Sequence, residues 1–562
     1  MDVTSVDTDV VVVGAGPVGL MLACELRLGG ARVTVLERLA SPTTESRAST
    51  LHARTMEFFD QRGLLEQLGS PPIQRSGHFG GIPLDFSALP TRFPGQYKVL
   101  QAQVEQVLAR RATELGADIR REHEVCALDP DVLDPDVHDP HDPDPDAGVV
   151  RVHARTPSGQ VQLTCRYAVG CDGEDSTVRV LAGIDFPGSA GTHELLRADV
   201  AGVDIAERRF ERLPAGLAIS SRLPNGATRV MVSVFGAPVG PRPGPPEFDE
   251  ICSVWEKVTG ESLRHGTPVW RNAFDDTSRL ARRLRAGRVL LAGDAAHVQM
   301  PSGGQAINLG LQDAANLGWK LAAVATGAAP PSLLDTYHDE RHEVARRVLG
   351  NIRAQGLLLL GGPEVDATRT VLRELIGHQV VNDRLAAMIA GVDIRYPVPD
   401  DPAQTPEFRH RPDGASPYAD PTAAAHRPAV KGDGDGGGDG DGGSRLAGAA
   451  VPHAALTVDG SATSTTALLR RGRGVLLDLA ACAGRHDWLT GRTAPFAQRV
   501  DLVAATAPPG GPLEGLETLL LRPDGYVAWA GDRYSDPGPA VARWFGAASP
   551  AVAGAIPVRT QV

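Results

Sequence analysis

The order of apolar and polar residues near the start of the chain predicts a strand, a helix and a second strand. Residues 9–13, "DVVVV", are a nearly continuous apolar run, typical of a parallel strand buried on both faces. "GAGPVG" then turns into the apolar helix "LMLACELRLGG", and "ARVTVLE" follows as the next strand. The pattern predicts a βαβ unit over residues 9–37.

The pattern changes several times further along the chain. Residues 102–117 have helical periodicity, and strand-like segments follow around 119–127 and 149–155. Residues 185–275 alternate apolar and polar positions between turns, as in "TRVMVSVFG", which predicts a mainly β region. From 303 to about 395 the chain is strongly helical. Beyond 451, "GVLLDL", "VDLVAAT" and "TLLLRPDGYVAWAG" predict the strands of a small α/β domain, with Pro-Asp-Gly as a hairpin turn.

Two low-complexity segments interrupt this order. Residues 128–148 alternate Asp and Pro, which disfavours both helix and strand because Pro removes backbone donors and the carboxylates repel one another. Clustered Asp and His are also potential metal ligands, but a solvated hairpin insertion is the favoured interpretation. Residues 431–444, "KGDGDGGGDGDGGS", lack the nonapeptide period of calcium-binding repeats and are interpreted as a flexible linker.

Composition narrows the class of protein. The 562 residues include 56 Lys and Arg against 68 Asp and Glu, and the net charge of −12 argues against a nucleic-acid partner. No run of 18 apolar residues and no secretion signal is present, so we expect no membrane span and a cytoplasmic location. The six cysteines include no CxxC pair, which argues against a zinc or dithiol site, and no metal site is predicted.

The first glycine-rich turn has the features of a dinucleotide-binding loop. Gly14 permits a tight turn, Gly16 lets the backbone approach a pyrophosphate, and Gly19 lets the helix pack closely on the strand. The helix N-terminus offers free N–H groups to phosphate. Glu37 ends the second strand, where it is placed to accept ribose hydroxyls, and it disfavours a 2′-phosphate. The turn therefore predicts FAD or NAD rather than NADP at this position.

Two later motifs decide between these cofactors. In "AVGCDGEDSTVR", residues 168–179, an apolar strand runs into Asp172-Gly173, which taken alone is only a turn. In "RVLLAGDAAHVQMPSGGQAIN", residues 288–308, a buried strand ends at Gly293-Asp294, and a second glycine-rich turn opens a long helix. FAD is long enough to need two helix N-termini, one for its ADP half and one for the isoalloxazine, which is negatively charged when reduced. The paired turns favour FAD.

With all three motifs in order, the chain resembles class A flavoprotein monooxygenases of the para-hydroxybenzoate hydroxylase fold group. It is most similar to actinomycete hydroxylases that tailor angucyclines and anthracyclines. The resemblance extends to "LERLASPTTESRASTLHARTMEFFDQRGL", "LLDTYHDERHEVARRVL" and "LLRPDGYVAWA". It implies an α/β fold with a Rossmann-like FAD-binding domain, an inserted β-rich substrate domain and a C-terminal thioredoxin-like domain without CxxC. The implied domains are 1–184 and 276–397 for FAD, with the insertion at 128–148, 185–275 for substrate, 398–450 as linker and 451–562 as the C-terminal domain.

The resemblance also implies which residues hold the cofactor. The ADP half is assigned to Gly14, Gly16, Pro17, Gly19, Glu37 and Arg38. Contacts along the pyrophosphate and ribityl chain are assigned to Arg47, Gln101, Asp172, Gly173, Gly293 and Asp294, and the Asp172-Gly173 motif is assigned to the pyridine nucleotide as well. The residues lining the isoalloxazine are Pro301, Gly303, Gly304, Gln305, Ala306 and Asn308. Relatives commonly carry Gly in place of Ala306, so its methyl group is expected to affect how far the flavin swings.

The implied reaction is hydroxylation of a polycyclic aromatic polyketide in antibiotic biosynthesis, with NADPH as transient reductant and O2 as co-substrate, through a C4a-hydroperoxyflavin. His78 and Phe79 are candidates for the substrate pocket wall, although a turn packed on the sheet explains them as well. His297 is a candidate acid or base, with a structural hydrogen bond as the favoured alternative.

Two other functions remain open from sequence. Baeyer–Villiger oxygen insertion into a polyketide quinone or ketone uses the same scaffold, and a flavin-binding partner without turnover is a third hypothesis. The signatures of flavin halogenases are not present. The choice between NADPH and NADH, the identity of the polyketide, and a monomeric or homodimeric state are not decided by the sequence.

Overall fold

A computed structural model describes residues 6–43, 48–132, 148–223, 225–240, 242, 244–398, 446–480, 482 and 484–546. Arg47, residues 133–147 of the predicted insertion and residues 399–445 of the predicted linker lie outside these ranges. Among the described residues, no helix is long and apolar enough to cross a membrane.

The first part of the chain contains the predicted βαβ unit. Its elements are β1 (Thr8–Val13), α1 (Pro17–Leu28), β2 (Val33–Glu37), β3 (Leu51–His52), α2 (Ala53–Gln61), α3 (Leu65–Leu68), β4 (Ile73–Gln74), β5 (Ser76–Phe79), β6 (Ile82–Asp85), β7 (Gln96–Tyr97), α4 (Gln101–Glu114), β8 (Asp118–Arg121), β9 (Glu124–Val132), β10 (Val149–Thr156), β11 (Gly159–Gly170) and α5 (Thr177–Leu181). The predicted strand and helix at the start of the chain are confirmed, as are the helix near 102 and the strands that follow it.

The middle of the chain is rich in strands and is followed by long helices, as the alternation of apolar positions predicts. The strand-rich elements are β12 (Gly188–Ser189), β13 (Glu194–Ala201), β14 (Arg208–Leu213), β15 (Gly216–Arg222), β16 (Thr228–Val234), α6 (Phe248–Thr259), β17 (Thr267–Asp275) and β18 (Ser278–Leu280). The elements that follow are β19 (Arg285–Ala286), β20 (Val289–Leu291), β21 (His297–Val298), α7 (Gln305–Ala325), α8 (Asp335–Leu360), α9 (Asp366–Ile376) and α10 (Gln379–Ala390).

The C-terminal domain has a thioredoxin-like order of elements. It contains β22 (Ala455–Val458), β23 (Ser461–Ser464), α11 (Thr465–Leu468), β24 (Gly474–Asp478), α12 (Arg485–Thr493), β25 (Val500–Ala504), β26 (Thr518–Leu521), β27 (Val527–Gly531) and α13 (Gly538–Phe545). The sheet order is β25-β24-β26-β27, with β24 and β25 parallel and the other pairs antiparallel. The three predicted strand runs and the Pro-Asp-Gly hairpin are confirmed.

The main sheet brings the three motif-bearing strands together. Its path is β19-β20-β11-β1-β2-β8, and β10 and β9 branch from β11. β20, β11, β1, β2 and β8 are mutually parallel along this path, so their carboxyl ends lie at the same edge. β1 lies between β2 and β11: β2 is its neighbour on one side of the sheet, and β11 is its neighbour on the other. In sheets of this kind a reversal of strand order opens a crevice above the carboxyl ends of the strands, and ligands usually bind there.

One expectation about the Asp/Pro segment is wrong for its first residues. β9 continues through Pro130 to Val132 and pairs with β10, although the alternation of Asp and Pro disfavours a strand. Among the strands of the described ranges, β9 pairs only with β10, so it is an edge strand in which the missing N–H of a proline is tolerated. The register shifts between Val149 and Arg151, opposite this segment.

Glycines allow α1 and α7 to pack closely beneath the crevice. A Cβ at Gly310 of α7 would lie 2.6 Å from Val18 Cγ2, and a Cβ at Gly318 would overlap the side chain of Glu25. Both glycines therefore permit an approach that any larger residue would prevent. As a result, the glycine-rich turns that open the two helices are held on one scaffold.

The five-stranded sheet β14-β15-β16-β13-β17 is antiparallel and has two covered faces. One face packs on α6 through a cluster that includes Ile251 and Trp255. A second cluster joins Leu217 and Ile219 of β15 to Ile352 and Leu359 of α8. The sheet is thus fixed against the helix that runs beside the crevice.

Candidate flavin site

The three motifs begin at the same level of the main sheet. Val13 pairs with both Leu36 and Gly170, and Gly170 pairs with Leu291. The residues that follow these four positions are Gly14, Glu37, the Cys171-Asp172 pair and the Ala292–Asp294 segment. The three motifs are far apart in the sequence, but they are therefore adjacent at the carboxyl edge of the main sheet.

The first glycine-rich turn is tight in the way the sequence predicts. Gly14 has φ of 104° and donates its N–H to Leu36 O at 2.8 Å. A Cβ at Gly14 would overlap the backbone of Cys171, and one at Gly19 would overlap Gly14 O. A Cβ at Gly16 would meet no atom within 4 Å. Gly14 and Gly19 are therefore required by the fold, whereas the absence of a side chain at Gly16 leaves open space.

Glu37 holds the turn from the end of β2. Its carboxylate accepts hydrogen bonds from Ala15 N and Leu39 N, each at 2.8 Å. Each oxygen receives one backbone donor, and a carboxylate oxygen has a further lone pair for another donor. Arg38 follows as an exposed residue.

The second motif is tied to the third. Asp172 accepts hydrogen bonds from Ser176 Oγ at 2.6 Å and Val178 N at 3.0 Å, so its carboxylate anchors the first turn of α5. Gly173 has φ of 86°. Arg179 of α5 donates through Nη1 to Ala295 O at 2.9 Å, which fixes the loop after Asp294 to the second motif.

The third motif is held from below by α7 and α8. Gly293 has φ of 65° and donates to Asp313 Oδ2 at 3.2 Å, while Tyr337 Oη donates to Leu291 O at 2.7 Å. Asp294 lies exposed at the edge. His297 is 1% exposed, and its Nε2 lies 2.6 Å from Asp313 Oδ2. This geometry favours the structural hydrogen bond over the acid–base hypothesis for His297.

The second glycine-rich turn opens α7 as predicted. Gly303 and Gly304 have φ of 63° and 72°, consecutive left-handed residues that only glycine adopts without strain. Asn308 bridges the turn and β3, because its Oδ1 accepts from His52 N at 2.8 Å and its Nδ2 donates to Thr50 O and Gly304 O. Its polar atoms thus hold protein backbone.

The remaining residues of this turn surround the start of α7. Pro301 is exposed, and Ala306 is half-buried. Gln305 is 4% exposed, and its Oε1 accepts from Asn351 Nδ2 at 3.2 Å, while its Nε2 has no hydrogen-bond partner in the structure.

The N-termini of α1 and α7 are both suited to binding negative charge, as a dinucleotide with two negatively charged parts requires. α1 and α7 begin after Gly16 and Gly304, and neither cap uses a side-chain hydrogen bond. Neither helix has an acidic residue in its first turn that would neutralise the positive end of its dipole. Together with the open space at Gly16, these features fit FAD.

Gln101 lies at the start of α4. Its backbone N donates to Ala48 O at 2.9 Å, and its Oε1 accepts from Ala48 N at 3.3 Å. It therefore anchors the backbone that follows Arg47, a residue outside the described ranges.

The two candidate substrate residues have different surroundings. His78 is 6% exposed, and its ring lies against that of Phe210 of β14 with centroids 3.8 Å apart and the ring planes tilted by 45°. Burial is the main cause that lowers the pKa of His78 to about 3, and its Nε2 has no hydrogen-bond partner among the described residues. Phe79 packs in an apolar cluster with Ile82 and Leu358. His78 thus lies where the β-rich sheet meets the first part of the chain, whereas Phe79 is a core residue.

Several residues that shape the site were missed in the sequence. Asp313 and Tyr337 hold the third motif, and His52 Nε2 lies 2.8 Å from Gly303 O. One signal was available: Asp313, Asn316 and Lys320 form an i, i+3, i+7 polar stripe on a helix whose residues are mostly buried. A polar stripe on a buried helix requires buried partners.

Comparisons with known proteins agree with this geometry. Residues 7–351 match a family described as FAD binding domain, and residues 444–548 match one described as aromatic-ring hydroxylase, C-terminal. A 12-dehydrotetracycline 5-monooxygenase/anhydrotetracycline 6-monooxygenase from Streptomyces rimosus is 39% identical over 96% of this chain and 99% of its own length. The crystal structure of CabE, an aromatic hydroxylase from angucycline biosynthesis, is 43% identical with a TM-score of 0.82, covering 96% of this chain and all of that one.

A third relative has a different named activity. The dialkyldecalin synthase of Streptomyces rugosporus is 36% identical over 96% of this chain and 99% of its own length. The scaffold alone therefore does not fix the reaction.

Proposed function

The chain belongs to the FAD-binding aromatic-ring hydroxylases and is an FAD-dependent monooxygenase. We propose that it hydroxylates a polycyclic aromatic polyketide intermediate of antibiotic biosynthesis, with NADPH as reductant. The observation that supports the proposal most is the position of the three motifs at one edge of the sheet, beside two helix N-termini without capping side chains. The named activities of the two hydroxylating relatives support the substrate class.

We assign the ADP half of FAD to the first turn. Gly16 leaves room for the pyrophosphate, the first turn of α1 directs N–H groups at it, and Glu37 accepts the ribose hydroxyls with the lone pairs that its two backbone donors leave. Asp294 lies exposed at the same edge for the ribityl chain.

We assign the isoalloxazine to the start of α7. When bound, FAD supplies the redox chemistry: reduced by NADPH, it activates O2, so that one oxygen atom enters the substrate and the other leaves as water. The N–H groups of the first turn of α7 stabilise negative charge at this position. Gly303 and Gly304 carry no side chain, so the backbone of this turn could approach the ring when FAD is bound.

We place the aromatic substrate against the five-stranded sheet. The apolar cluster that joins this sheet to α8 includes Leu217, Ile219 and Met300. His78 and Phe210 lie at the junction with the first part of the chain. Apolar walls of this kind exclude water, which protects a reactive oxygen donor from wasteful decay. His78 Nε2 is a buried polar atom with no hydrogen-bond partner in the part of the chain that the structure describes, and a phenolic hydroxyl would satisfy it.

The test is an oxygen-labelling assay with purified protein. We expect a yellow protein that consumes NADPH faster when a tetracyclic phenol is added, and a product heavier by one oxygen atom that carries label from ¹⁸O₂. NMR of the product distinguishes a new phenol from a lactone, the outcome that would assign Baeyer–Villiger insertion instead. A yellow protein that consumes no NADPH with any tetracyclic phenol would contradict the proposal and favour a flavin-binding role without turnover.

A further inference from the structure

A hairpin turn of the C-terminal domain is buried against the FAD-binding part of the chain. Arg522, Asp524 and Tyr526, in and beside the Pro-Asp-Gly turn, are 2%, 1% and 4% exposed. Arg54 of α2 donates through Nη2 to Asp524 O at 3.0 Å, and its guanidinium lies 4.7 Å from the centre of the Tyr526 ring. The turn is thus a docked element rather than a solvent-exposed loop.

Tyr526 continues into a buried series of contacts. Its ring lies 4.2 Å, centroid to centroid, from that of Tyr396, which follows α10. Tyr396 Oη accepts a hydrogen bond from Arg341 Nη1 at 3.1 Å. Arg341 of α8 donates through Nε to Asp313 Oδ1 at 2.7 Å and through Nη2 to Leu309 O at 3.0 Å. Every group in this series is either aromatic and packed or charged and paired.

The series ends at the third motif. Asp313 Oδ1 receives Arg341, while Asp313 Oδ2 receives Gly293 N at 3.2 Å and lies 2.6 Å from His297 Nε2. The side chains of Asp313 and Arg341 are fully buried, so neither has water as an alternative partner. The orientation of the carboxylate is therefore set by Arg341 and in turn sets the position of Gly293, the residue before Asp294.

Asp313 remains ionised in this position. Burial acts to raise the pKa of Asp313, but the charges of Arg341 and His297 outweigh it and hold the pKa below its ordinary value. An ionised acceptor forms shorter and stronger hydrogen bonds to its donors than a neutral one.

We propose that Asp313 is a positioning residue for the Gly293-Asp294 loop, and that the C-terminal domain holds it in place through Tyr526, Tyr396 and Arg341. The inference rests on the proposed function, since it assumes that Asp294 contacts FAD. It gives the C-terminal domain, which lacks a CxxC pair, a role in cofactor binding.

The test measures FAD release from the full-length holoenzyme through the recovery of flavin fluorescence. Tyr396→Phe removes one hydroxyl and leaves Arg341 Nη1 without its partner. The loss of this hydrogen bond should weaken the bound state by about 1 kcal/mol and so speed FAD release about fivefold. In an Asp313→Asn background the same substitution should change release by less than about twofold, because the carboxylate through which it acts is gone. Arg341→Lys replaces Asp313→Asn if the latter fails to fold.

Arg62→Lys is the matched control. Arg62 also holds the C-terminal domain, with Nη1 on Leu469 O at 2.9 Å and Nη2 on Pro523 O at 2.8 Å, but its carboxylate partner is Glu25 rather than Asp313. Because Pro523 belongs to the same turn, Arg62→Lys should lower the melting temperature but speed FAD release less than Tyr396→Phe does, since it leaves the contacts between Arg341 and Asp313 intact. Equal effects of Tyr396→Phe and Arg62→Lys on release, or additivity of Tyr396→Phe with Asp313→Asn, would overturn the inference. A wild-type protein that binds no FAD would instead refute the proposed function.

Discussion

At the residue scale, two glycines of the first turn are constrained for different reasons. Gly14 has φ of 104° and no room for a Cβ beside Cys171, whereas a Cβ at Gly16 meets no protein atom within 4 Å. The constraint on Gly14 therefore comes from the fold. We assign the constraint on Gly16 to the cofactor, because only a bound pyrophosphate would occupy that space.

Substitution of these two glycines by alanine should separate folding from cofactor binding. Gly14→Ala should lower the free energy of unfolding of the apoprotein by about 2 kcal/mol or more, since it adds strain and overlap. Gly16→Ala should leave apoprotein stability within about 0.5 kcal/mol, yet weaken FAD binding at least about tenfold. Urea unfolding and a FAD titration measure the two quantities. A Gly16→Ala protein with unchanged FAD affinity would contradict our placement of the pyrophosphate.

His78 makes the stability of the protein depend on pH. Burial, with smaller contributions from Arg209 and Lys98, lowers the pKa of His78 to about 3. The unfolded chain takes up a proton near pH 6.5, whereas the folded protein does so only near pH 3. Between these values the unfolded state binds more protons, so stability rises with pH and is lost as the pH falls below about 6.5.

His78→Asn should therefore reduce the acid sensitivity of the protein. Asn retains an acceptor for Gly81 N, which now donates to His78 Nδ1 at 3.2 Å, but it does not titrate. The slope of unfolding free energy between pH 6 and 4 should decrease by up to about 1.4 kcal/mol per pH unit. His265→Asn provides the control, because it makes the same substitution at an exposed histidine. Identical slopes for wild type and His78→Asn would mean that His78 is protonated in the folded protein.

At the element scale, the start of α7 depends on one side chain. Asn308 donates to Thr50 O and Gly304 O and accepts from His52 N, so it holds β3 against the glycine-rich turn. Asn308→Asp keeps an acceptor but loses both donors and buries a charge. We expect a loss of about 3 kcal/mol in the free energy of unfolding, together with weaker FAD binding.

A matched Asn→Asp substitution is available elsewhere in the chain. Asn225 is exposed and only accepts, from Ala227 N at 3.1 Å, so Asn225→Asp should change stability by less than about 0.5 kcal/mol. If Asn308→Asp is as mild as this control by urea unfolding, the amide donors of Asn308 do not hold the turn.

The sequence predicts the elements of the site better than their arrangement. Apolar runs that end in Gly14, Asp172 and Gly293-Asp294 are recognisable because a buried parallel strand must be apolar and a ligand-binding turn needs glycine or a carboxylate. Their adjacency depends on the pairing of β1 with β11 and of β11 with β20. No local pattern encodes that pairing, so only the resemblance to known hydroxylases indicates it.

Buried charges were the least predictable part of the site. Arg341 occurs on a helix that also carries exposed charges such as Asp339, and a charged residue on a helix is usually solvated, so neither its burial nor its pairing with Asp313 of α7 could be predicted. Their burial results from the packing of α7 and α8 with the C-terminal domain, which brings residues from three distant segments together. A periodic pattern reports which face of one helix is apolar, but not which distant residue will neutralise a charge on it.

At the scale of the whole molecule, buried ion pairs join the C-terminal domain to the FAD-binding part. Arg522 donates to both oxygens of Glu340, at 2.6 and 2.9 Å, and is 2% exposed. In the opposite direction, Arg62 of the FAD-binding part donates to two carbonyl oxygens of the C-terminal domain. Contacts that cross the interface in both directions, away from solvent, are expected to make the two parts unfold together rather than separately.

Arg522→Met should show that this interface is costly to break. The carboxylates of Glu340 and Asp524 would stay buried with one fewer cation, because only Lys320 and Asn316 remain beside Glu340. Breaking a buried pair by removing one partner costs about 3–5 kcal/mol, and high salt should not reduce this loss because the pair is shielded from solvent. Arg346→Met removes an arginine paired with Glu343 at the surface, and should cost less than about 1 kcal/mol. Calorimetry measures the loss of unfolding free energy in both variants. Equal losses in the two variants, or two separate unfolding transitions in the wild type, would show that the C-terminal domain is only loosely attached.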